Sequence, residues 1–368
     1  MEKAGHIMEG QAGTTVILDG REYLYFAGTS YFNLHRHPEL LRSAREALDR
    51  YGMGSATSRS LAGTTPALVE LERTAASFFG TEDAVYLPSG YLSSLAGLPG
   101  LDMYLPFQRI YIDEYAHYSL SDAAMATGKP VHCFGHLDAG GLEHLLTSTL
   151  GGGERPLIAT DGLFPVSGKL PPAGRYLELA DQYGGAVWVD DAHGSGILGA
   201  TGRGLAEELG VEGAGLFTGT TLSKAFGAYG GIIPGSVPFT EKVRQTGPCL
   251  GSNAPLSPAV AAGIRGLELV REHPRFRERL RENARYLKKG LAGLGLPVVP
   301  DHIPIASFKQ GTADQMSGLQ KRVMEENIYI QYTTYRGGGS EGCLRIVVTS
   351  GHERQEIDRL IRVLGKLL

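Results

Sequence analysis

The sequence predicts an α/β protein with a mainly parallel sheet covered by helices and a smaller α+β domain at its C-terminal end. Two observations favour this fold class. Short β-branched runs alternate with helical stretches, and the runs are apolar along nearly their whole length, which is typical of parallel strands buried on both faces. Seven such runs predict the strands of the large sheet: Ala84–Leu87, Arg109–Ile112, Val131–Phe134, Leu157–Thr160, Ala186–Val189, Leu216–Thr218 and Gly231–Ile233.

The segments before and between these strands have helical spacing. A short strand over Tyr23–Phe26 precedes a helix over Pro38–Tyr51, whose apolar residues recur three and four positions apart. A loop rich in glycine and serine covers Gly52 to Gly63. Further helices are predicted at about Pro66–Phe79, Gly141–Thr149 and Arg175–Tyr183.

The pattern changes at about Pro255, and a chain of 368 residues is longer than one core usually supports. We therefore expect an N-terminal segment over residues 1–40, a large domain over 41–250 and a small domain over 251–368. The predicted elements of the small domain are a helical stretch over Ser257–Leu296 interrupted at Pro274, strands at Pro304–Phe308, Ile328–Tyr332 and Cys343–Val348, and a helix over Arg354–Leu368.

Composition excludes several classes of protein. The net charge is -4 and like charges do not cluster, so nucleic acid and membrane surfaces are not expected partners. No apolar stretch reaches about 18 residues, so we expect no membrane span. Cys133, Cys249 and Cys343 lack metal-ligand spacing, which predicts a reduced cytoplasmic protein without a metal site. The N-terminus has no signal-peptide pattern.

Two strand ends carry the residues that point to chemistry. Asp190 ends one apolar run in Val189-Asp190-Asp191-Ala192-His193, and Lys224 follows the next in Thr220-Thr221-Leu222-Ser223-Lys224. Together these are the groups needed to hold pyridoxal phosphate. Lys224 would form an imine with its aldehyde, small hydroxyl residues would take the phosphate, and Asp190 would keep the pyridine nitrogen protonated.

Each of these residues also has a structural interpretation. A lysine on a loop is usually a surface residue, and Asp190 or Asp191 could cap the segment that follows. A carboxylate buried at a strand end nevertheless requires a cation, and a protonated pyridine is one. His193, three residues after Asp190, could hydrogen-bond the phenolic oxygen of the cofactor.

Ser89-Gly90-Tyr91 follows a predicted strand and opens a helix, where exposed N–H groups favour a phosphate. Such a turn is common, so this signal is weak by itself. Thr221 could add a hydroxyl to the same phosphate.

His117 and Arg345 are weaker candidates. His117 could stack on the pyridine ring, but a structural polar residue at a strand end is about as consistent with the pattern. Arg345 lies in the alternating strand Leu344-Arg345-Ile346-Val347-Val348, where it could hold a substrate carboxylate or face outward.

With these residues assembled, the chain resembles the α-oxoamine synthase family of fold-type-I pyridoxal phosphate enzymes. The resemblance spans nearly the whole chain, from about Phe26 to the last helix. The motifs that carry it, in family order, are Gly52-Met53-Gly54-Ser55 with Ser58-Arg59, Leu71-Glu72, Ser89-Gly90-Tyr91, Asp113 to Ser119, Gly135-His136-Leu137-Asp138, Asp190 to Gly194, Gly202-Arg203-Gly204, the lysine motif, Ser252-Asn253, and Leu344-Arg345 with His352.

The resemblance implies a role for each matching residue. Lys224 is the Schiff-base lysine, Asp190 the pyridine partner, His193 the phenolic-oxygen partner and His117 the stacking group, and these four form the catalytic set. Those implied to hold the phosphate are Ser89, Gly90, Tyr91 and Thr221, with Ser252 and Asn253 reaching the phosphate of a neighbouring subunit in a homodimer with shared active sites. Arg345 would hold the amino acid carboxylate, and Thr29 and Arg59 are further candidate substrate residues.

The implied reaction joins an amino acid to an acyl-CoA at carbon, releases CoA and gives an α-amino ketone or an α-amino-β-keto acid. An aminotransferase or aldolase on the same fold is the alternative. A non-catalytic partner subunit would be expected to lack Lys224, and a dinucleotide-binding oxidoreductase would need a Gly-x-Gly-x-x-Gly turn that we do not find.

Three positions depart from the family pattern. Thr29-Ser30-Tyr31-Phe32-Asn33-Leu34 stands where Asn-x-Tyr-Leu-Gly-Leu is common, Leu68 replaces a histidine, and Pro165-Val166-Ser167-Gly168 replaces Ser-Met-Asp-Gly. The first two lie near the expected substrate entrance, so they bear on the identity of the amino acid and the acyl-CoA.

Overall fold

The computed structural model describes residues 5–213 and 215–368, so the start of the predicted N-terminal segment, residues 1–4, lies outside the described residues. The contacts divide the chain into two compact units. One comprises residues 38–164 and 169–272, and the other comprises 5–37, 165–168 and 273–368.

The larger unit contains the elements that position the candidate site. Its helices are α1 (Pro38–Tyr51), α2 (Pro66–Phe79), α3 (Tyr91–Tyr104), α4 (Tyr118–Ala126), α5 (Ala139–Thr149), α6 (Ala173–Asp181), α7 (Leu205–Leu209), α8 (Val237–Arg244), α9 (Gly247–Leu250) and α10 (Ser257–Glu272), with a π-helical turn at Arg59–Gly63. In the smaller unit, strands β1 (Met8–Glu9), β2 (Thr15–Leu18) and β3 (Arg21–Tyr25) precede these helices. The strands of the larger unit are β4 (Asp83–Leu87), β5 (Arg109–Asp113), β6 (Val131–Phe134), β7 (Pro156–Asp161), β8 (Ala186–Asp190), β9 (Leu216–Thr221) and β10 (Gly231–Gly235).

These seven strands form one sheet in the order β4-β10-β9-β8-β7-β5-β6. The pairs β6–β5, β5–β7, β7–β8 and β8–β9 are parallel, while β10 runs antiparallel to both β9 and β4. The predicted fold class, with its mainly parallel sheet of seven strands covered by helices, is confirmed. Because parallel strands end at the same edge, residues after β7, β8 and β9 are brought together.

Trp188 fixes the packing of α3 on this sheet. The side chain is completely buried, and its indole Nε1 donates to Ser94 Oγ at 3.2 Å. A Cβ at Gly97 would lie 1.8 Å from the Trp188 ring, so only glycine lets the helix approach the indole this closely.

The smaller unit adds the C-terminal elements α11 (Arg275–Gly293), β11 (Ile305–Phe308), α12 (Ala313–Glu325), β12 (Ile328–Tyr329), β13 (Gln331–Thr333), β14 (Cys343–Val347) and α13 (Arg354–Leu367). It contains a sheet in the order β1-β2-β3-β12 and a second in the order β11-β14-β13. Side chains from α11, α12 and α13 pack with residues of β11, β12 and β14 in one apolar core.

Two details of this unit differ from the prediction. Strands β1 and β2 were not expected. Asp19 and Gly20 join β2 to β3, and their φ angles of 49° and 77° are typical of a tight two-residue hairpin. The predicted strand Ile328–Tyr332 is two strands, because Ile328 pairs with Leu24 of β3 whereas the chain beyond Ile330 pairs with β14.

The contacts place the change of unit at 272/273 rather than at the predicted 250/251. Helix α10 packs against α1 and α2 and therefore belongs to the larger unit. Residues 5–37 belong to the same unit as the C-terminal part. Among the described residues, no helix has the length and apolar character needed to cross a membrane.

We predict that Gly97→Ala lowers the free energy of unfolding by about 1–3 kcal/mol, because the added methyl group overpacks the Trp188 site. Gly318→Ala is the matched control, since Gly318 is also helical and a Cβ there meets nothing within 4 Å. The control variant should be unchanged or more stable by up to about 1 kcal/mol. Urea denaturation of the three proteins measures both effects, and equal stabilities of the two variants would contradict this packing.

Candidate active site

A pocket opens at the carboxyl edge of the large sheet and brings together most of the predicted site residues. The predicted residues that line it are Ser89, Gly90, Tyr91, His117, Asp190, His193, Thr221 and Lys224. Residues not predicted also line it: Ser119, Asp161, Ala192, Ser223 and Tyr229. All of them belong to the larger unit.

The sheet explains this convergence. Asp190 is the last residue of β8, and Thr221 is the last residue of the adjacent parallel strand β9, so Lys224 follows on the next turn. His117 lies between β5 and α4, where its side chain caps the helix. The pocket is therefore built from the loops that follow parallel strands.

One end of the pocket is suited to an anion. Gly90 is the N-cap of α3, and the Tyr91 N–H, at the start of the helix, donates to Ser89 Oγ at 3.2 Å. Thr221 Oγ1 lies 2.8 Å from Ser223 Oγ. A Cβ at Gly90 would lie 2.5 Å from Thr221 Oγ1, so glycine is required for this approach. Helix N–H groups and hydroxyls together form a site of the kind that binds phosphate.

The other end contains the Asp190 carboxylate. Its Oδ1 accepts from the Ala192 N–H at 3.2 Å, and its Oδ2 accepts from the Ser119 hydroxyl at 3.2 Å. These two bonds fix the orientation of the carboxylate. His193, two residues after Asp191, is 8% exposed and lines the same pocket.

Asp161 is a second carboxyl group at this edge that sequence reasoning missed. It ends β7 and lies opposite Asp190 in the register of β7 and β8. Burial raises the pKa of Asp161 well above its usual value, and the negative charge of Asp190 raises it further. The His117 N–H donates to Asp161 Oδ1 at 3.0 Å. A strand that ends in an acid was the available signal, since Asp190 was found by the same argument.

Asp191 supports the loop that follows β8. Its Oδ2 accepts from the Ser195 hydroxyl and from the Leu205 N–H, both at 3.1 Å, so it caps the start of α7. Burial raises the pKa of Asp191 to about 7. The predicted division of roles is consistent with this geometry: Asp190 faces the pocket and Asp191 holds the backbone.

Ser223 and Tyr229 line the pocket together with Lys224. Ser223 was visible in the lysine motif but carried no predicted role. Tyr229 is exposed, and its carbonyl oxygen accepts from the Tyr86 hydroxyl at 2.8 Å. No sequence signal distinguishes this tyrosine from an ordinary surface residue.

Arg59 does not line the pocket. Its Nη2 donates to both carboxylate oxygens of Glu72, at 2.8 and 3.0 Å, and its Nη1 donates to the Tyr86 carbonyl at 3.0 Å. The guanidinium is therefore engaged in an ion pair with Glu72 of α2 and a hydrogen bond to β4, a structural role that the predicted substrate contact did not anticipate.

Ser252 and Asn253 do not line the pocket either. Asn253 forms an isolated bridge with Ser58, and the neighbouring Ala254 N–H donates to the Thr57 carbonyl at 2.8 Å. Their predicted role involves the phosphate of another subunit, which a single chain does not test.

Arg345 and Thr29 belong to the smaller unit. Arg345 is 6% exposed and not outward-facing; its Nε donates to the Pro165 carbonyl at 2.6 Å, and its Nη1 donates to Gln331 Oε1 at 3.3 Å. Burial lowers the pKa of the Arg345 guanidinium and raises that of the nearby Tyr31 to about 12. Thr29 is partly buried, and its carbonyl accepts from the Tyr31 N–H at 2.9 Å.

The residues of the pocket fit pyridoxal phosphate. An amine can bind the aldehyde, a fixed carboxylate can pair with a protonated pyridine, and the N-terminus of α3 with its hydroxyls can take the phosphate. A Cβ at position 90 would clash with Thr221, whereas glycine leaves the backbone at this phosphate site open to an anion.

Comparison with known proteins agrees with this chemistry. The family model described as "Aminotransferase class I and II" matches residues 28–364. The chain is 34% identical to an 8-amino-7-oxononanoate synthase of Citrifermentans bemidjiense, covering 98% of this chain and 94% of that protein. It is 30% identical to the enzyme of the same name from Alkaliphilus metalliredigens, covering 98% and 91%.

Solved structures resemble the fold. A serine palmitoyltransferase of Sphingomonas wittichii superposes with a TM-score of 0.93 at 23% identity, over 100% of this chain and 92% of that chain. An 8-amino-7-oxononanoate synthase of Francisella tularensis gives a TM-score of 0.79 at 22% identity, over 94% and 97%.

We predict a pH-dependent stability that originates at Asp191. The folded protein retains the Asp191 proton up to about pH 7, whereas the unfolded chain releases it near the usual value of 3.8, so the free energy of unfolding falls as pH rises between these values. Asp191→Asn removes this titration, and its stability should fall less from pH 5 to pH 8 than that of the wild type.

Denaturant titrations at pH 5 and pH 8 measure the difference. Asp181→Asn is the control because Asp181 lies exposed at the end of α6. Identical pH dependence in the Asp191→Asn variant and the wild type would contradict the prediction.

Proposed function

The chain belongs to the aminotransferase class I and II family, and we propose that it joins an amino acid to an acyl-CoA thioester at carbon, using pyridoxal 5'-phosphate. The observation that carries this proposal is the meeting of Lys224, Asp190 and the α3 phosphate cradle in one pocket. The relatives named 8-amino-7-oxononanoate synthase, at 30% identity or more over nearly the whole chain, support the acyl-transfer reaction.

When bound, the cofactor supplies an aldehyde that links to an amine and a ring that accepts the electron pair released at the α-carbon of the amino acid. Lys224 would hold the aldehyde and, once displaced by the amino acid, would take up the α-proton at Nζ. Asp190 would keep the proton on the ring nitrogen. The Ala192 N–H and the Ser119 hydroxyl fix the orientation of the Asp190 carboxylate.

The remaining residues would bind and orient. Ser89, Gly90, Tyr91 and Thr221 would hold the phosphate, His117 would stack on the ring, and His193 would contact the phenolic oxygen. Arg345 would pair with the amino acid carboxylate, with Thr29 as a further substrate residue. The α-carbon of the amino acid then bonds to the thioester carbonyl carbon, and CoA leaves as the thiol.

A thiol-release assay tests this function. We predict that the protein releases free CoA when it is given pyridoxal phosphate, a small amino acid and an acyl-CoA together, with no release when the amino acid is omitted. Glycine, alanine and serine, each with short and long acyl thioesters, form the screen. Keto-acid formation without CoA release would overturn the proposal in favour of an aminotransferase.

Lys224→Ala should lower the rate of CoA release by about 1,000-fold or more, because the variant lacks the amine that takes the α-proton. Lys289→Ala, which removes an exposed lysine of α11, should retain the wild-type rate. A retained rate in Lys224→Ala would refute the assignment of that residue.

We also propose that the protein is a cytoplasmic homodimer whose subunits share their active sites. Large apolar side chains are exposed on two segments that pack on each other through the Ala254–Thr57 bond and a Ser257 N–H bond to the Met53 carbonyl at 3.0 Å. These exposed side chains are Met53, Leu61, Leu250 and Leu256, with Leu61 82% exposed. Ser252 and Asn253 lie within the same surface, which supports their reaching a second copy.

The reduced state expected of Cys133, Cys249 and Cys343 supports the cytoplasmic location.

We predict that Leu61→Asp shifts the protein from dimer to monomer, because a charge in an apolar interface costs several kcal/mol. Met125→Asp is the control, since Met125 is 73% exposed on α4, away from these segments in sequence. Sedimentation equilibrium gives the mass of each variant. A wild-type monomer, or an undisturbed dimer in Leu61→Asp, would exclude this surface as the interface.

A further inference from the structure

The Ser119 hydroxyl lies between two of the predicted cofactor residues. Its Oγ is 2.6 Å from His117 Nδ1 and 3.2 Å from Asp190 Oδ2. Ser119 is 2% exposed, so water does not compete freely for these bonds.

The backbone N–H of Ser119 favours one tautomer of the neutral His117 ring. This N–H donates to His117 Nδ1 at 3.1 Å, so the nitrogen presents a lone pair. In the neutral ring the proton is then on Nε2. The His117 backbone is held as well, because its N–H donates to Asp161 Oδ1 at 3.0 Å.

The Ser119 hydroxyl has one proton and two acceptors. Donation to Asp190 adds a hydrogen bond to its carboxylate beside the one from the Ala192 N–H, whereas donation to Nδ1 withdraws that bond. The state of Asp190 and the hydrogen bonding of the His117 ring are therefore coupled through a single side chain.

We propose that Ser119 is a positioning residue that holds the Asp190 carboxylate and the His117 ring in a fixed relation around the cofactor ring. This inference rests on the proposed function, because it assumes that pyridoxal phosphate binds between these groups. The ionisable groups that share the pocket with Ser119 are Tyr91, His117, Asp161, Asp190, His193, Lys224 and Tyr229.

Removing the hydroxyl leaves the fold intact. Ser119 is the second residue of α4, and alanine is the best helix former, so Ser119→Ala should not weaken the helix. The variant instead loses a hydrogen bond to a charged group. In Ser119→Ala the Asp190 carboxylate would be less well oriented, so it would stabilise the proton on the cofactor's ring nitrogen less. A neutral ring would then withdraw less electron density from the bond to Lys224.

Two measurements without turnover test the inference. The first is the dissociation constant for pyridoxal phosphate, followed by the fluorescence of Trp188, the one tryptophan of the sequence, which lies two residues before Asp190 in β8. The second is the pH midpoint of the visible absorbance of the bound cofactor. Ser119→Ala should bind about 10-fold or more weakly, and its midpoint should shift upward.

Two further variants make the result decisive. Ser119→Thr keeps a hydroxyl and should restore both values toward those of the wild type, while Ser121→Ala in the same helix should change neither. The inference is overturned if Ser119→Ala matches Ser121→Ala in both measurements. It is also overturned if Ser119→Thr is weakened as much as Ser119→Ala, since packing would then explain the loss.

The proposed function fails separately. Wild-type protein that shows neither visible absorbance nor fluorescence change with pyridoxal phosphate would exclude the cofactor itself. A wild type that binds, with an unaffected Ser119→Ala variant, would reject the role of Ser119 and leave the function standing.

Discussion

The site depends on two neighbouring carboxyl groups, Asp161 and Asp190, that are held at one edge of the sheet. Asp161 and Asp190 end adjacent parallel strands in register, so their charges lie close in a partly buried pocket. Two carboxylates in such a place are not both ionised without a cost. Burial raises the pKa of Asp161 well above its usual value, the negative charge of Asp190 raises it further, and the positive charge of Lys224 opposes the shift. A protonated pyridine beside Asp190 would complete this balance of charge.

Different hydrogen bonds orient the three acidic side chains of the site. Asp191 faces backbone and Ser195, Asp190 accepts from Ala192 and Ser119, and Asp161 accepts from the backbone of His117. Each acid is therefore oriented by a different partner. The motif Asp190-Asp191 thus divides into one carboxylate that faces the pocket and one that fixes the loop carrying it.

Two of the three positions that depart from the family pattern contribute to packing rather than to the phosphate cradle. Leu68 is 1% exposed, and its N–H donates to the Thr65 side chain that caps α2. The Pro165–Gly168 segment belongs to the smaller unit, where the Pro165 carbonyl accepts from Arg345 and the Val166 carbonyl accepts from Ser307. Gly168 has a φ of 66°, and a Cβ there would lie 2.9 Å from the Ile305 carbonyl oxygen.

The strands and helices of the large domain were predictable because their periodicity is local. Lys224, Asp190 and the Ser89–Gly90 turn were predictable because each follows a recognisable apolar strand. Contacts between segments that are separated in sequence were not predictable. Arg59 pairs with Glu72, and the predicted strand over Ile328–Tyr332 is divided because its first residues pair with β3 and its last residues pair with β14. The Asp19-Gly20 hairpin has a local signal as well, because Asp-Gly is typical of a two-residue turn between strands.

The most direct test of the account is chemical trapping of the cofactor. The holo-protein is treated with borohydride, digested, and mapped by mass spectrometry for a peptide carrying the reduced pyridoxyl group. The account predicts one modified lysine, at position 224. Modification of another lysine, or none at all, would contradict it.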